Sequence, residues 1–205
     1  MSIKITTLVE NSVYGKGLQG EHGLSLLVDT GEHRLLFDTG ASDLFIRNAR
    51  ILGIDLKEVD FLVLSHGHRD HTGGLHHFLA VNDKAQVVCK RELFRPKFKD
   101  ERENGVMQPD ALDSTRFRFV DEVTELCRGV FVFPQLPVTD EEDTHFEHFF
   151  TWAEGRKQAD TFTDELALVL KQDAEVSVLS ACSHRGITNI IRAVQEYFPQ
   201  TSLKL

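Results

Sequence analysis

The 205-residue chain is 41% hydrophobic and 27% charged, a globular balance that excludes a disordered or fibrous protein. Its 32 acidic against 23 basic residues give a net charge of −9, which argues against a nucleic-acid partner. No apolar run approaches the roughly 20 residues that span a bilayer; the first residues lack a secretion-signal pattern, and Cys89, Cys127 and Cys182 show no paired spacing. The expectation is one domain over residues 1–205, cytoplasmic, acting on a small molecule away from membranes.

Residues 3–9 predict a first strand, followed by a glycine-rich stretch over 15–23. Residues 25–29 and 34–38 predict a hairpin about Thr30, Gly31 and Glu32. Ser42 is the expected cap of a helix to about Leu52, with Leu44, Phe45, Asn48, Ile51 and Leu52 at helical spacing. The run FLVL after Asp60 reads as a buried strand and leads directly into SHGHRDHTGG. Gly73 and Gly74 open a helix through Phe78 and Leu79, and residues 86–89 predict another strand.

Residues 91–115 are polar and irregular, an expected insertion over one end of the fold. The basic side chains around it (Lys84, Lys90, Arg91, Arg95, Lys97, Lys99, Arg102) alternate with acids and read as a solvated face rather than an anion clamp. Residues 129–133 predict a strand ended by Pro134. Beyond the acidic run 140–143, THFEHFF reads as an amphipathic loop packing its phenylalanines rather than as a flap carrying His145 and His148. Residues 166–170 and 176–179 predict a second strand pair, and 187–198 an amphipathic helix. Antiparallel pairs mixed with helices argue for an α+β arrangement of sheets covered by helices.

His66, Gly67, His68, Arg69, Asp70 and His71 carry the chemistry. Leaving an extended strand, positions i and i+2 face the same way, so His66 and His68 can converge on one ion. A turn into a helix then swings Asp70 and His71 to the neighbouring side, where they can serve a second. Imidazole and carboxylate donors suit zinc, manganese or iron. A lone histidine after a strand is commonly structural; three with an aspartate in six residues are not so easily dismissed.

SHGHRDHTGGL matches the HxHxDH signature, and with it the chain resembles the metallo-β-lactamase superfamily. EHGLSLLVDTG, LLFDTG and CSHRGITNI extend the likeness to one branch, similar to the synthase of a dihydropterin–ribofuranosylaminobenzene phosphate, a methanopterin precursor. The resemblance covers about residues 5–198 and is weakest over 91–162. It implies a four-layer αββα sandwich with metals at the sheet edges. His184 would join His66 and His68 at the first ion; Asp70 and His71 would hold the second, and Asp38 would orient a ligand from behind. Asp38 also reads as a turn aspartate, and His184 as a capping residue. Asp164 is open between a position near the metals and a turn before a strand; His22 is open between pocket wall and plain surface. His76 and His77 are expected one packed and one solvated, neither a ligand.

Relatives of this branch continue into a strand that ends with a further histidine, whereas the present sequence ends FPQTSLKL. The expectation is therefore a sandwich without that strand, with completion of the second site open. The implied cofactors are two divalent ions, zinc first, with manganese or iron open. The expected function is hydrolysis of a small phosphorylated or ester/carbonyl substrate by a metal-bound hydroxide positioned by Asp70. Two alternatives stand beside it: an iron-containing redox or oxygen-handling enzyme on the same fold, and a non-catalytic binding module with a partial site.

Overall fold

The computed structural model describes residues 3–15, 17–107 and 114–204. The strands in chain order are β1 (Lys4–Val9), β2 (Ser25–Asp29), β3 (Arg34–Phe37), β4 (Phe61–Val63), β5 (Gln86–Cys89), β6 (Lys97–Lys99), β7 (Arg102–Glu103) and β8 (Phe117–Phe119). They continue as β9 (Thr124–Cys127), β10 (Val130–Phe133), β11 (Phe149–Ala153), β12 (Arg156–Ala159), β13 (Ala167–Gln172), β14 (Glu175–Leu179) and β15 (Ser202–Leu203). Four α-helices join them among the described residues: α1 (Leu44–Ile51), α2 (Arg69–Thr72), α3 (Leu75–Val81) and α4 (Ile187–Tyr197).

Two sheets face each other. One has the order β1-β2-β3-β4-β5-β8, antiparallel through β3 and parallel beyond it. The other has the order β15-β14-β13-β10-β9. Period-two alternation divides the side chains of each strand between two cores. Val28, Leu35, Phe37, Val63 and Val88 of the first sheet meet Val130, Val132, Leu168 and Leu170 of the second. On the outer face, Leu36, Leu62 and Val87 pack under Leu44, Phe45, Leu75 and Phe78 of α1 and α3. Ala167 and Val169 pack under Ile190 and Val194 of α4. The order of layers is αββα, with both sheets delivering strand ends to the same rim. No described helix is long and apolar enough to cross a membrane.

Several local expectations are corrected. Asp43, not Ser42, occupies the N-cap of α1, although the Ser42 hydroxyl accepts the Leu44 amide at 3.1 Å. Ile51 and Leu52 are exposed, and Ile46 and Ala49 complete the buried face instead. Asn48 is buried because its amide donates to the Leu8 and Gln19 carbonyls. The described part of the 91–115 segment is more regular than expected. After the 3₁₀ turn Arg91–Phe94, β6 and β7 join β11 and β12 in a third sheet of order β12-β11-β6-β7. THFEHFF is therefore loop only at its start, since its last phenylalanines begin β11. Glu154 and Gly155, both at positive φ, form the two-residue turn to β12. Past α4 the chain does add a strand: β15, two residues long, runs parallel to β14.

Phe37 is fully buried between the two sheets. Phe37→Ala is expected to cost about 3–5 kcal/mol of unfolding free energy through the cavity it leaves, read as a lowered urea midpoint.

Candidate metal centre

β4 delivers the motif to the rim. Beyond Val63 the chain stays extended through Leu64 and Ser65, each bonded across to a neighbour: Leu64 N donates to Val88 O and Leu166 N donates to Ser65 O. His66 and His68 follow, and α2 begins at Arg69 with His68 as N-cap. Gly67 is a necessity of packing rather than of φ. A Cβ there would lie 2.4 Å from the Leu93 carbonyl oxygen and 2.8 Å from Lys97 Cε. From the other sheet, the loop after β14 brings in His184. The rings of His66, His68 and His184 form a triangle with centroid separations of 4.8, 5.1 and 5.0 Å, and His71 lies 4.3 Å from His66.

The hydrogen bonds assign the tautomers. Ser65 Oγ donates to Asp38 Oδ2 at 2.7 Å, so it accepts from His66 Nδ1 at 2.9 Å. His184 Nδ1 donates to the His145 carbonyl at 3.0 Å. The Nε2 lone pairs of His66 and His184 are therefore free. The Nε2 atoms of His66, His68 and His184 are buried, have no hydrogen-bond partner and lie within 4.8 Å of one another. Buried polar atoms normally find partners. Three nitrogen donors left facing one point are what a cation needs, so this donor set fits a divalent ion. Burial and the neighbouring imidazoles hold His66 well below its usual pKa; burial and His184 put His68 at about 2. Burial brings His184 down to about 4, and the neutral forms that ligation requires are the resting forms.

The second half of the centre is charged. Burial alone would lower the pKa of His71, but the Asp38 carboxylate, 2.7 Å from Nδ1, outweighs it and holds the ring well above the usual value. Asp70 Oδ2 lies 3.2 Å from His71 Nε2, and this contact overcomes burial to keep Asp70 at about 2. Cys182 Sγ lies 3.2 Å from the same nitrogen. His22 is largely exposed at the rim, its Nδ1 bonded to Asn11 and its Nε2 3.4 Å from Asp70. Asp38 adopts φ 61°, an uncommon conformation that aims its carboxylate at Ser65 and His71 together.

Asp164 does not face the histidines as a free ligand. Its Oδ2 accepts the Gly67 amide at 2.7 Å and its Oδ1 accepts Lys97 Nζ at 2.8 Å. Lys97, expected on a solvated face, is buried and also bonds Asp160 at 2.6 Å. Glu165 accepts the amides of His184 and Arg185, both at 2.8 Å. Burial raises its carboxyl to about 7 despite those donors. Phe162 stacks on His184 at 3.7 Å, and Phe149 lies 4.8 Å from His68. The side chains of His145 and His148 are exposed and His148 pairs with Asp100, so only the His145 backbone serves the centre. His76 is half-buried and His77 exposed, neither among the gathered donors. Ser65, Lys97, Glu165 and Cys182 are the residues that the sequence reading missed. Only Cys182, two positions before His184, carried a local signal.

A sandwich of two mixed sheets, with histidines gathered at one rim, is the arrangement of a metallo-β-lactamase fold. The metallo-beta-lactamase superfamily pattern matches residues 18–164, and the chain belongs to that superfamily. It is similar to the 7,8-dihydropterin-6-methyl-4-(beta-D-ribofuranosyl)-aminobenzene-5'-phosphate synthase of Methanocaldococcus jannaschii. Identity there is 29% over 212 residues, covering 93% of this chain and 71% of that protein. An uncharacterized protein of the same organism is 28% identical, with 91% and 72% covered. Among solved structures, Tm1679, a metal-dependent hydrolase of the beta-lactamase superfamily, superposes with a TM-score of 0.81 at 33% identity. That match covers 96% of this chain and 72% of the other. A quorum-quenching N-acyl homoserine lactone lactonase shares the fold at a TM-score of 0.54 and 14% identity, with 88% and 77% covered.

Two outcomes are expected here. Lys97→Met leaves Asp160 and Asp164 buried without a countercharge and should destabilise the fold by about 3–5 kcal/mol, measured by chemical denaturation. Under chelation, the fold should also lose stability as pH falls from about 6.5 to 4.5. Across that window His66, His68 and His184 stay neutral when folded and protonate when unfolded. Glu165 opposes them by keeping a proton that the unfolded chain releases above 4.5, while His71 is protonated in both states. Three protons against one leave a net uptake of about two on unfolding, each worth about 1.4 kcal/mol per pH unit. Urea midpoints at pH 7 and pH 5 in EDTA measure this, and an unchanged midpoint would contradict the assigned environments.

Proposed function

We propose that the chain is a metal-dependent hydrolase of a small anionic substrate, a phosphoester or an ester/carbonyl compound, working with two divalent ions, zinc foremost. The observation that carries this reading is the set of three buried, partnerless Nε2 atoms on His66, His68 and His184. In it those three residues hold the first ion, and Asp70 and His71 hold the second. Divalent ions at such a centre activate water for attack and polarise the substrate oxygen.

The chain's own residues set the stage for that chemistry. Asp38 fixes the His71 ring directly and the His66 ring through Ser65, so that each presents Nε2. Asp70 stays ionised through the working pH range, which lets it hold charge beside the reacting atoms. Phe149 and Phe162 wall one side of the imidazoles and keep water from it. An anionic substrate draws some support from Arg69 and Arg95, which with Glu103 line a neighbouring cleft of about 600 Å³ that none of the gathered donors lines.

A second reading, group transfer rather than hydrolysis, draws support from the 29% identity to a synthase over 93% of the chain. The same centre would serve, with an acceptor other than water.

Elemental mass spectrometry on the chain as purified, followed by a panel of phosphomonoesters, phosphodiesters, thioesters and lactones, tests the proposal. Two zinc ions per chain and turnover of one class are expected. His68→Ala should abolish turnover, whereas Ser65→Ala should cost roughly 10–100-fold as loss of an outer partner. Metal-loaded protein inert on the whole panel would turn the reading towards transfer; protein that binds no metal would sink both.

A further inference from the structure

We propose that the cavity lined by Lys90 and Arg185 is a second small-molecule site, one that takes an aryl phosphate monoester. Its oxyanion sits between the two cations and its ring against Phe133 and Tyr197. None of the gathered histidine donors lines this cavity, so the inference stands whether or not the histidines carry ions.

The cavity has a volume of about 670 Å³, within the range of small-molecule sites. Its two cations come from the two facing halves of the sandwich: Lys90 directly follows β5, and Arg185 lies in the loop between β14 and α4. Both are half-buried and pinned to the backbone. Lys90 Nζ donates to the Pro134 carbonyl at 2.9 Å; Arg185 Nε donates to the Leu136 carbonyl at 2.7 Å and Nη1 to the Thr161 carbonyl at 2.6 Å. Pro134 and Leu136 themselves line the cavity, so both cationic heads are held at its wall. Two ammonium protons of Lys90 and the Nη2 group of Arg185 find no partner among the described residues.

Neither cation joins an ion pair among the described residues, because the acids around them are spent elsewhere. Of those whose charge reaches Arg185, Glu165 holds the amides of His184 and Arg185, and Asp164 holds Gly67 and Lys97. Glu92, which pulls on Lys90, pairs with Arg95. Burial first, and the Arg185 charge with it, lowers the Lys90 pKa despite that pull. Two like charges half withdrawn from water, with no carboxylate between them, are what an incoming oxyanion offsets. Glu196 is the one acid among the described lining residues and is exposed, so the local balance stays positive. A phosphate monoester, which carries close to two negative charges, matches two cations better than a carboxylate.

The remaining wall is largely apolar. Phe133, Pro134 and Leu136 are buried, and Tyr197 of α4 meets Phe133 edge to face at 5.3 Å while staying exposed. A flat ring laid on Tyr197 gains an aromatic contact and removes that exposed face from water.

Calorimetric titration with phenylphosphonate, whose P–C bond resists hydrolysis, tests the site at mildly alkaline pH, where this probe is a dianion. The full-length chain should bind it as purified, and one saturable site should survive removal of metal by chelation and dialysis, with the fold intact by circular dichroism. Lys90→Met should keep its urea midpoint and weaken that site roughly 10-fold or more, the worth of a hydrogen bond to a charged group. Tyr197→Ala should weaken phenylphosphonate by about 3–10-fold and leave methylphosphonate unchanged. Methylphosphonate and benzoate should each bind more weakly than phenylphosphonate. No saturable binding, binding that a folded metal-free chain loses, or binding that Lys90→Met leaves unchanged in the chain as purified would each overturn the inference. Benzoate as tight as phenylphosphonate would overturn the phosphate assignment. None of these outcomes would touch the hydrolase proposal.

Discussion

Both oxygens of the Asp38 carboxylate are committed inside the fold, and the orientation of the rest of the centre depends on it. Oδ1 takes the Ser65 amide; Oδ2 takes the Ser65 hydroxyl and His71 Nδ1. Because the Ser65 proton is given to Asp38, Ser65 must accept from His66, and that sets the His66 tautomer. One carboxylate thus turns two imidazoles the same way. It does so from a position where desolvation makes each charge-assisted bond strong and each unmade bond costly.

The same device recurs twice on the opposite sheet. Asp164 grips the Gly67 amide between His66 and His68, and Glu165, the next residue, grips the amides of His184 and Arg185. Adjacent residues just before β13 therefore anchor histidine-bearing loops from both halves of the sandwich. Lys97 makes this sustainable: reaching in from the third sheet, it balances the charge of Asp164 and Asp160. The third sheet is thus part of the support of the candidate metal centre, which explains how a segment that reads as a surface insertion contributes a buried lysine.

What was legible in the sequence was what neighbouring residues decide. HxHxDH declares itself because its donors lie within six positions, and alternation in β2, β3 and β13 is visible one strand at a time. Lys97 looked like one cation among many because its partners lie 63 and 67 residues away. Glu165 looked like an acid before a strand, since accepting backbone amides from residues 184 and 185 leaves no trace in composition. The hairpin of β11 and β12 is a different case: Glu154-Gly155 is a readable turn signal, but the phenylalanines clustered beside histidines carry the pattern of an amphipathic loop equally well.

The two halves of the centre are built on opposite electrostatic principles. The His66, His68 and His184 side presents neutral nitrogens, deep, walled by Phe149 and Phe162, with protons driven off by burial. The His71 side presents an imidazole between two carboxylates, which calls for positive charge whether it arrives as a proton or as an ion. A cation entering the first side meets donors that need not give up a proton, whereas one entering the second must displace the proton from His71. The second side is also where His22 and Cys182 meet solvent. On the proposed two-ion reading, that asymmetry would make the buried side the more permanent holder of an ion. The open side is where an exchangeable ion and an incoming substrate would meet.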